Sequence, residues 1–185
     1  MSSDKSLKNC QEKKVEHKIA SALTAYLSLG SNIGDKKNML DSAIASLRDT
    51  TDVTVKNISS FYMTDPVDGG GSDTFLNCAV EIETTLEPLD LLDTIEEIEV
   101  LHGRTAKSSN KPRTLDIDII LYGGMVVAFP RLKVPHPKMA DRKFVLEPLD
   151  QIAPELRHPI LNMTSAELAR KIPNQKYLCQ RLDSI

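Results

Sequence analysis

Two carboxylates, Asp116 and Asp118, sit two residues apart in the aliphatic run Leu115-Asp116-Ile117-Asp118-Ile119-Ile120-Leu121-Tyr122. The apolar residues recur at every second position, which is the strand period. Leu115, Ile117, Ile119 and Leu121 are therefore predicted to share one face, and Asp116 and Asp118 the other. Aspartate is depleted in strands, and two ionised carboxylates roughly 6.6 Å apart on one pleat repel unless something positive sits between or above them. A hard divalent cation meets that need. Mg²⁺ takes few protein carboxylates and completes its octahedron with water and substrate phosphates. The alternative is a half-buried strand whose polar face meets solvent. Arg113, just upstream and stiffened by Pro112, favours a phosphate chain held from both sides, because guanidinium groups bind phosphate in a planar fork.

Other residues could serve the same chemistry. Arg104, Lys107, Lys111 and Arg113 concentrate positive charge in a chain of net charge −3, which suits an anionic ligand; a solvated basic loop is the alternative. Phe75 and Asn77 alternate with the apolar residues Leu76, Cys78, Val80 and Ile82, so an aromatic ring lies beside an amide able to read a heterocycle. Such a pair is also common on plain surface. His136 stands between Pro135 and Pro137, which fix its direction, near Arg142. Glu99 precedes Arg104 by five residues and is ordinarily a solvated helix position. The glycine run 69–71 marks either a flexible hairpin loop or a lid.

These side chains need elements to hold them. Residues 24–29 read as a first strand, entering a helix through Gly30-Ser31-Asn32-Ile33-Gly34-Asp35 with Asn32 or Asp35 as cap. That turn lacks both a Walker loop and a complete GxGxxG pattern, so a structural turn is favoured. Met39, Leu40, Ala43, Ile44 and Leu47 form a helix face. Residues 53–62 read as one extended segment with a bulge or break at Asn57, and residues 75–84 as a strand. Pro88 starts a second helix whose stripe runs Leu89, Leu92, Ile95, Ile98 and Leu101 or His102, ending at Gly103. After the aspartate strand, residues 147–158 suggest a compact proline-rich ending, and Thr164 with Glu167 a capping box. The order strand, helix, strand, strand, helix, strand predicts an α+β fold, a ferredoxin-like βαββαβ sandwich with additional C-terminal elements and two helices on one side. Both informative strands would then turn their polar faces to the open side.

A length of 185 residues fits one domain at 24–185 behind a polar tail at 1–23. With 41% hydrophobic and 4% aromatic residues, the core must be aliphatic. The acidic balance argues against a nucleic-acid binder. No apolar run approaches a membrane span, and no signal peptide is evident. Cys10, Cys78 and Cys179 are odd in number and show no metal-ligand spacing, which suggests reduced thiols and a cytoplasmic location.

Read in order, Leu29-Gly30-Ser31-Asn32, Ser60-Phe61-Tyr62 with Thr64, Pro66 and Val67, Phe75-Leu76-Asn77, Gly103-Arg104, Pro112-Arg113-Thr114-Leu115-Asp116-Ile117-Asp118, and Val134-Pro135-His136 with Arg142 and Phe144 resemble the 6-hydroxymethyl-7,8-dihydropterin pyrophosphokinase family of folate biosynthesis. The resemblance spans about residues 25–159. It implies diphosphate transfer from ATP to the pterin hydroxymethyl group, with AMP released. Asp116 and Asp118 would hold two Mg²⁺ ions, with Arg104 and Arg113 as catalytic partners. Phe75 and Phe144 would sandwich the pterin, Thr64 and Asn77 would bond its edge, and Val67 would line it. Glu99, Arg104, Lys107, Arg113, Arg131, Lys133, His136 and Arg142 would form the ATP site. Members also occur fused to neighbouring pathway enzymes, so a fusion or an association with them is a further implication. The chain departs from the usual family pattern at Lys111, Lys133 and Pro137. Two rivals remain: a ferredoxin-like binding module, and a metal-dependent phosphodiesterase using the same aspartate pair.

Overall fold

The computed structural model describes residues 21–65, 74–104, 114–173 and 179–182. The tail at 1–20, the glycine run 69–71, and Val67, Lys107, Lys111 and Arg113 lie outside the described residues.

The strand β1 (Leu23–Ser31) buries Ala25, Leu27 and Leu29 on one face. It leads into the helix α1 (Lys36–Asp49), capped by Asp35, whose Oδ1 accepts from the Asn38 N–H at 3.0 Å. Leu40, Ala43, Ile44 and Leu47 fall at helical spacing and are all buried; each leucine or isoleucine so buried contributes roughly 1.5–3 kcal/mol.

The extended stretch after α1 is two strands, β2 (Val53–Ile58) and β3 (Tyr62–Thr64), rather than one. Ser59 separates them. Its N–H donates to the Ala79 carbonyl and its Oγ accepts from the Ala79 N–H, both at 2.9 Å. A side chain thus takes a place in the ladder that backbone would otherwise fill, and the chain bends. β4 (Phe75–Thr84) has the expected bounds; its first half pairs with β3 and its second with β2. The β2–β4 register slips between Val55 and Asn57, where the sequence suggests a bulge.

The helix α2 (Pro88–Leu101) starts at its proline, and Gly103 beyond it has φ +89°, a conformation that favours glycine. Most of the expected stripe packs inward: Ile95 and Ile98 are buried, Leu89 and Leu92 lie partly buried against the core, and His102 is half-buried. Leu91, Ile95 and Ile98 face inward together with Glu99, while Leu101 is 75% exposed. The helix is rotated so that a carboxylate faces in, which is tolerable only because that carboxylate finds partners.

In β5 (Asp116–Tyr122), Leu27 of β1 pairs with Ile119 but Tyr26 pairs with Leu121. Ile120 is therefore an extra residue, a β-bulge, and it inverts the alternation. Leu115, Ile117 and Ile119 keep the predicted face, whereas Leu121 crosses to the opposite one.

A short hairpin, β6 (Val127–Ala128) with β7 (Lys133–Val134), precedes the helix α3 (Lys143–Ile152). That helix runs into the expected compact proline-rich ending at 147–158, where the sequence pattern predicts no helix. It contains Pro148, whose ring argues against a helix interior, yet Val145, Leu146 and Leu149 are buried on one side, and their packing outweighs the proline. α4 (Ser165–Lys171) carries the predicted capping box: Thr164 Oγ1 accepts from the Glu167 N–H at 3.1 Å, and Glu167 Oε2 from the Thr164 N–H at 2.8 Å. Thr164→Ala is expected to cost about 1 kcal/mol, measured as a lower denaturant midpoint at unchanged m-value. A last strand, β8 (Cys179–Arg181), pairs with β3 and was not expected from sequence.

The result is a mixed α/β fold with an antiparallel sheet in the order β5-β1-β4-β3-β8, with β2 also on β4. One face packs under α1 and α2. The other is not open: Ala79, Ile120 and Leu121 join Val145, Leu146, Leu149 and Leu168 in a second core beneath α3 and α4.

Candidate active site

The register brings the two informative strands together. Asp116 of β5 pairs with Gly30 of β1, and Gly30 pairs with Asn77 of β4. One row therefore crosses three strands, with Asp116 and Asn77 flanking a residue without a side chain. Adjacent strands lie ~4.8 Å apart, so the carboxylate and the amide are separated by about two strand spacings. Asp118 occupies the neighbouring row, opposite Ser28. The side chains of Asp116 and Asp118 remain 33% and 34% exposed, accessible to a ligand while held by the protein.

Cations surround the pair. Arg104 Nη1 lies 3.2 Å from Asp116 Oδ1 and also bonds Glu99. Glu99, at 2% exposure, accepts the Ile117 N–H at 2.8 Å, so it fastens α2 to β5 between the two aspartates. Burial pushes its carboxyl up to about 7, even though the Ile117 N–H and Arg104 both pull it down. Arg142, which caps α3, places Nη1 3.2 Å from Asp118 Oδ2 and its guanidinium 5.4 Å from the centre of the Phe144 ring. His136 Nδ1 accepts the Lys138 N–H at 3.2 Å, which leaves the proton on Nε2, 3.8 Å from Asp118. Burial lowers the imidazole pKa, with Asp118 acting in the opposite direction. His136 is therefore neutral at neutral pH and offers a fixed N–H.

On the other side, Asn77 is 3% exposed and its Nδ2 donates to Thr64 Oγ1 at 2.8 Å. Phe75 pairs directly with Thr64, and both Phe75 and Phe144 stay partly exposed. The structure thus gathers around the two aspartates a cluster of two ion-paired groups, Glu99–Arg104–Asp116 and His136–Asp118–Arg142, with Thr64, Phe75 and Asn77 at the neighbouring strand ends. It does not bring Arg131 to this cluster. Arg131 pairs instead with Asp93 at 2.6 Å and Glu96 at 2.9 Å on α2, and Lys133 is exposed on β7. Sequence reasoning missed Lys36, whose Nζ bonds the Thr74 carbonyl at 2.6 Å and so fixes the residue before Phe75. A single lysine at the start of a helix gives no sequence signal for such a tie.

Residues 26–154 match the family model described as 7,8-dihydro-6-hydroxymethylpterin-pyrophosphokinase. A Bacillus subtilis protein named 2-amino-4-hydroxy-6-hydroxymethyldihydropteridine pyrophosphokinase is 45% identical over 143 residues, covering 77% of this chain and 84% of that protein. The folic acid synthesis protein FOL1 of Dictyostelium discoideum is 41% identical over 150 residues, or 80% of this chain; the chain spans only 22% of that longer protein. Among solved structures, wild-type HPPK-DHPS of Plasmodium falciparum superposes with a TM-score of 0.65 at 17% identity, over 81% of this chain and 44% of that one. At that identity the likeness speaks for the fold alone.

Proposed function

The chain belongs to the 7,8-dihydro-6-hydroxymethylpterin-pyrophosphokinase family, and from that premise we propose how its residues divide the work. It is a pyrophosphokinase of folate biosynthesis: diphosphate passes from ATP to the hydroxyl of 6-hydroxymethyl-7,8-dihydropterin, and AMP leaves. The observation that carries the site assignment is the row Asp116–Gly30–Asn77, which sets an acidic phosphate end and an amide ring-reading end on one strip of sheet.

The donor set suits Mg²⁺. Asp116 and Asp118 offer only hard oxygen atoms, and among the described residues no third His, Cys, Asp or Glu joins them as a metal cluster. Mg²⁺ characteristically keeps several positions for water and substrate phosphates. Bound at Asp116 and Asp118, two Mg²⁺ ions would neutralise phosphate oxygens and lower the pKa of the attacking hydroxyl.

The chain's own residues do the positioning. Arg104 and Arg142, already against the carboxylates, supply guanidinium groups for the triphosphate and stabilise charge that develops at the transferred group. His136 donates from Nε2 to a phosphate oxygen. Glu99 fixes Arg104 and the spacing of α2 from β5. Asn77 and Thr64 bond the polar edge of the pterin, and Phe75 and Phe144 cover its faces. On the family pattern, Val67 completes the pterin pocket, and Lys107, Arg113, Arg131 and Lys133 reach ATP. Arg131 would have to leave Asp93 and Glu96 to do so.

The core order β5-β1-β4-β2, with α1 and α2 as crossovers, supports a ferredoxin-like reading of the sheet. Free Cys78 and Cys179 among the described residues support a reducing, cytoplasmic setting. No described helix is long and apolar enough to cross a membrane. Longer relatives such as FOL1 support fusion or association with other folate enzymes.

The test is product analysis. ATP and 6-hydroxymethyl-7,8-dihydropterin incubated with the purified chain should yield AMP and pterin diphosphate in equal amounts, with neither ADP nor free phosphate. ADP formation, or pterin-independent hydrolysis, would refute the assignment.

A further inference from the structure

We propose that Gly30 is a positioning residue of the pterin pocket: its missing side chain keeps the Asn77 amide in its reading orientation. The inference rests on the pyrophosphokinase reading above, and it adds a residue that contributes only backbone.

The backbone itself does not demand glycine here. Positive φ among the described glycines occurs at Gly34, Gly103 and Gly123, and not at Gly30. Glycine in a strand interior weakens the strand, because it loses more backbone entropy than other residues and packs nothing. A glycine kept in a central strand at that cost marks a place where something approaches closely. The structure names the neighbour: a methyl group added to Gly30 would lie 2.9 Å from Asn77 Oδ1, closer than packed side chains come. Asn77 has little freedom to retreat, being 3% exposed and tethered through Nδ2 to Thr64 Oγ1 at 2.8 Å. With Nδ2 so engaged, Oδ1 is the atom that accepts an N–H from the ring edge, and it is the atom the methyl would displace.

The same absence matters along the row. Asp116 and Asn77 both pair with Gly30, so no side chain rises between the acidic and amide ends of the site. Gly30 is thus a positioning residue that acts through Asn77.

The test uses the full chain with Mg²⁺ and α,β-methylene-ATP, titrated calorimetrically with 6-hydroxymethylpterin. Gly30→Ala should weaken pterin binding about 10- to 50-fold, the scale of one or two lost hydrogen bonds, and leave analogue affinity within about twofold. Asn77→Ala removes the atom in the way, so adding Gly30→Ala to it should change pterin affinity no more than about twofold. If Gly30→Ala alone fails to fold, the double variant, which has room for the methyl, carries the test: it should fold and bind as Asn77→Ala does. Unchanged pterin affinity in Gly30→Ala overturns the proposal. So does an equal loss of nucleotide affinity, or an undiminished effect in the Asn77→Ala background. A wild-type chain that binds the analogue but no pterin would instead bring down the pyrophosphokinase reading, and this inference with it.

Discussion

Alanine at Asp116 or at Asp118 is expected to lower AMP formation by about a thousandfold or more, while the variant melts within a few degrees of the wild type. The kinetic loss follows from the proposed assignment, in which the pair holds the metal charge on which diphosphoryl transfer depends, an effect worth several kcal/mol. The structural cost is small because both side chains are about one-third exposed and neither contributes to a core. Their partners are also not left stranded. Without Asp116, Arg104 keeps Glu99; without Asp118, Arg142 keeps the face of Phe144. Steady-state kinetics with a thermal melt on each variant checks both halves. Near-normal AMP formation from either variant would contradict the role assigned to the pair.

Glu99→Ala is expected to do the reverse, damaging the fold first, by about 3 kcal/mol on the scale for breaking a buried polar network. The substitution orphans the Ile117 N–H and removes the carboxylate that holds Arg104, leaving a void under α2. Glu99→Gln should cost less than about 1 kcal/mol, because its amide oxygen still accepts from Ile117. The sign of the pH dependence follows from the raised pKa, about 7 against an ordinary 4.5, caused first by burial. Between those values the folded chain holds a proton that the unfolded chain has released, so this group's contribution to stability falls as pH rises from about 4.5 to about 7. It is flat on either side. Denaturant titrations across that window should show the slope in the wild type and lose it in Glu99→Gln. An identical slope in both proteins would assign it to other groups.

Much of this was legible in the sequence because it rests on period and local chemistry. Alternation located β4 and the start of β5, Pro88 and Gly103 bounded α2, and the Thr164–Glu167 pair announced α4. What escaped depends on pairing between distant segments. The bulge at Ile120 exists because β5 slips against β1, and only that register sends Leu121 to the second core. The inward turn of Glu99 is set by its partners Ile117 and Arg104, which the helical stripe alone does not reveal. α3 was hidden by Pro148, whose local penalty is outweighed by burial against β4. The same holds within the site. Asp116, Asp118, Phe75 and Asn77 were marked by residue type, whereas Gly30 between them resembled an ordinary turn glycine, because its place depends on the pairing of three strands. Arg131 carried the charge expected of an ATP contact, but it rests on the acidic side of α2.

On the proposed assignment, Asp116 and Asp118 hold divalent metal against the triphosphate. Mn²⁺ binding followed by electron paramagnetic resonance, with α,β-methylene-ATP and 6-hydroxymethylpterin present, tests it most directly. The wild-type chain should bind about two Mn²⁺ per molecule in that complex, as the two-metal arrangement requires, and Asp116→Ala and Asp118→Ala should each bind fewer. Equal metal occupancy in all three proteins, or analogue binding indifferent to metal in the wild type, would contradict it.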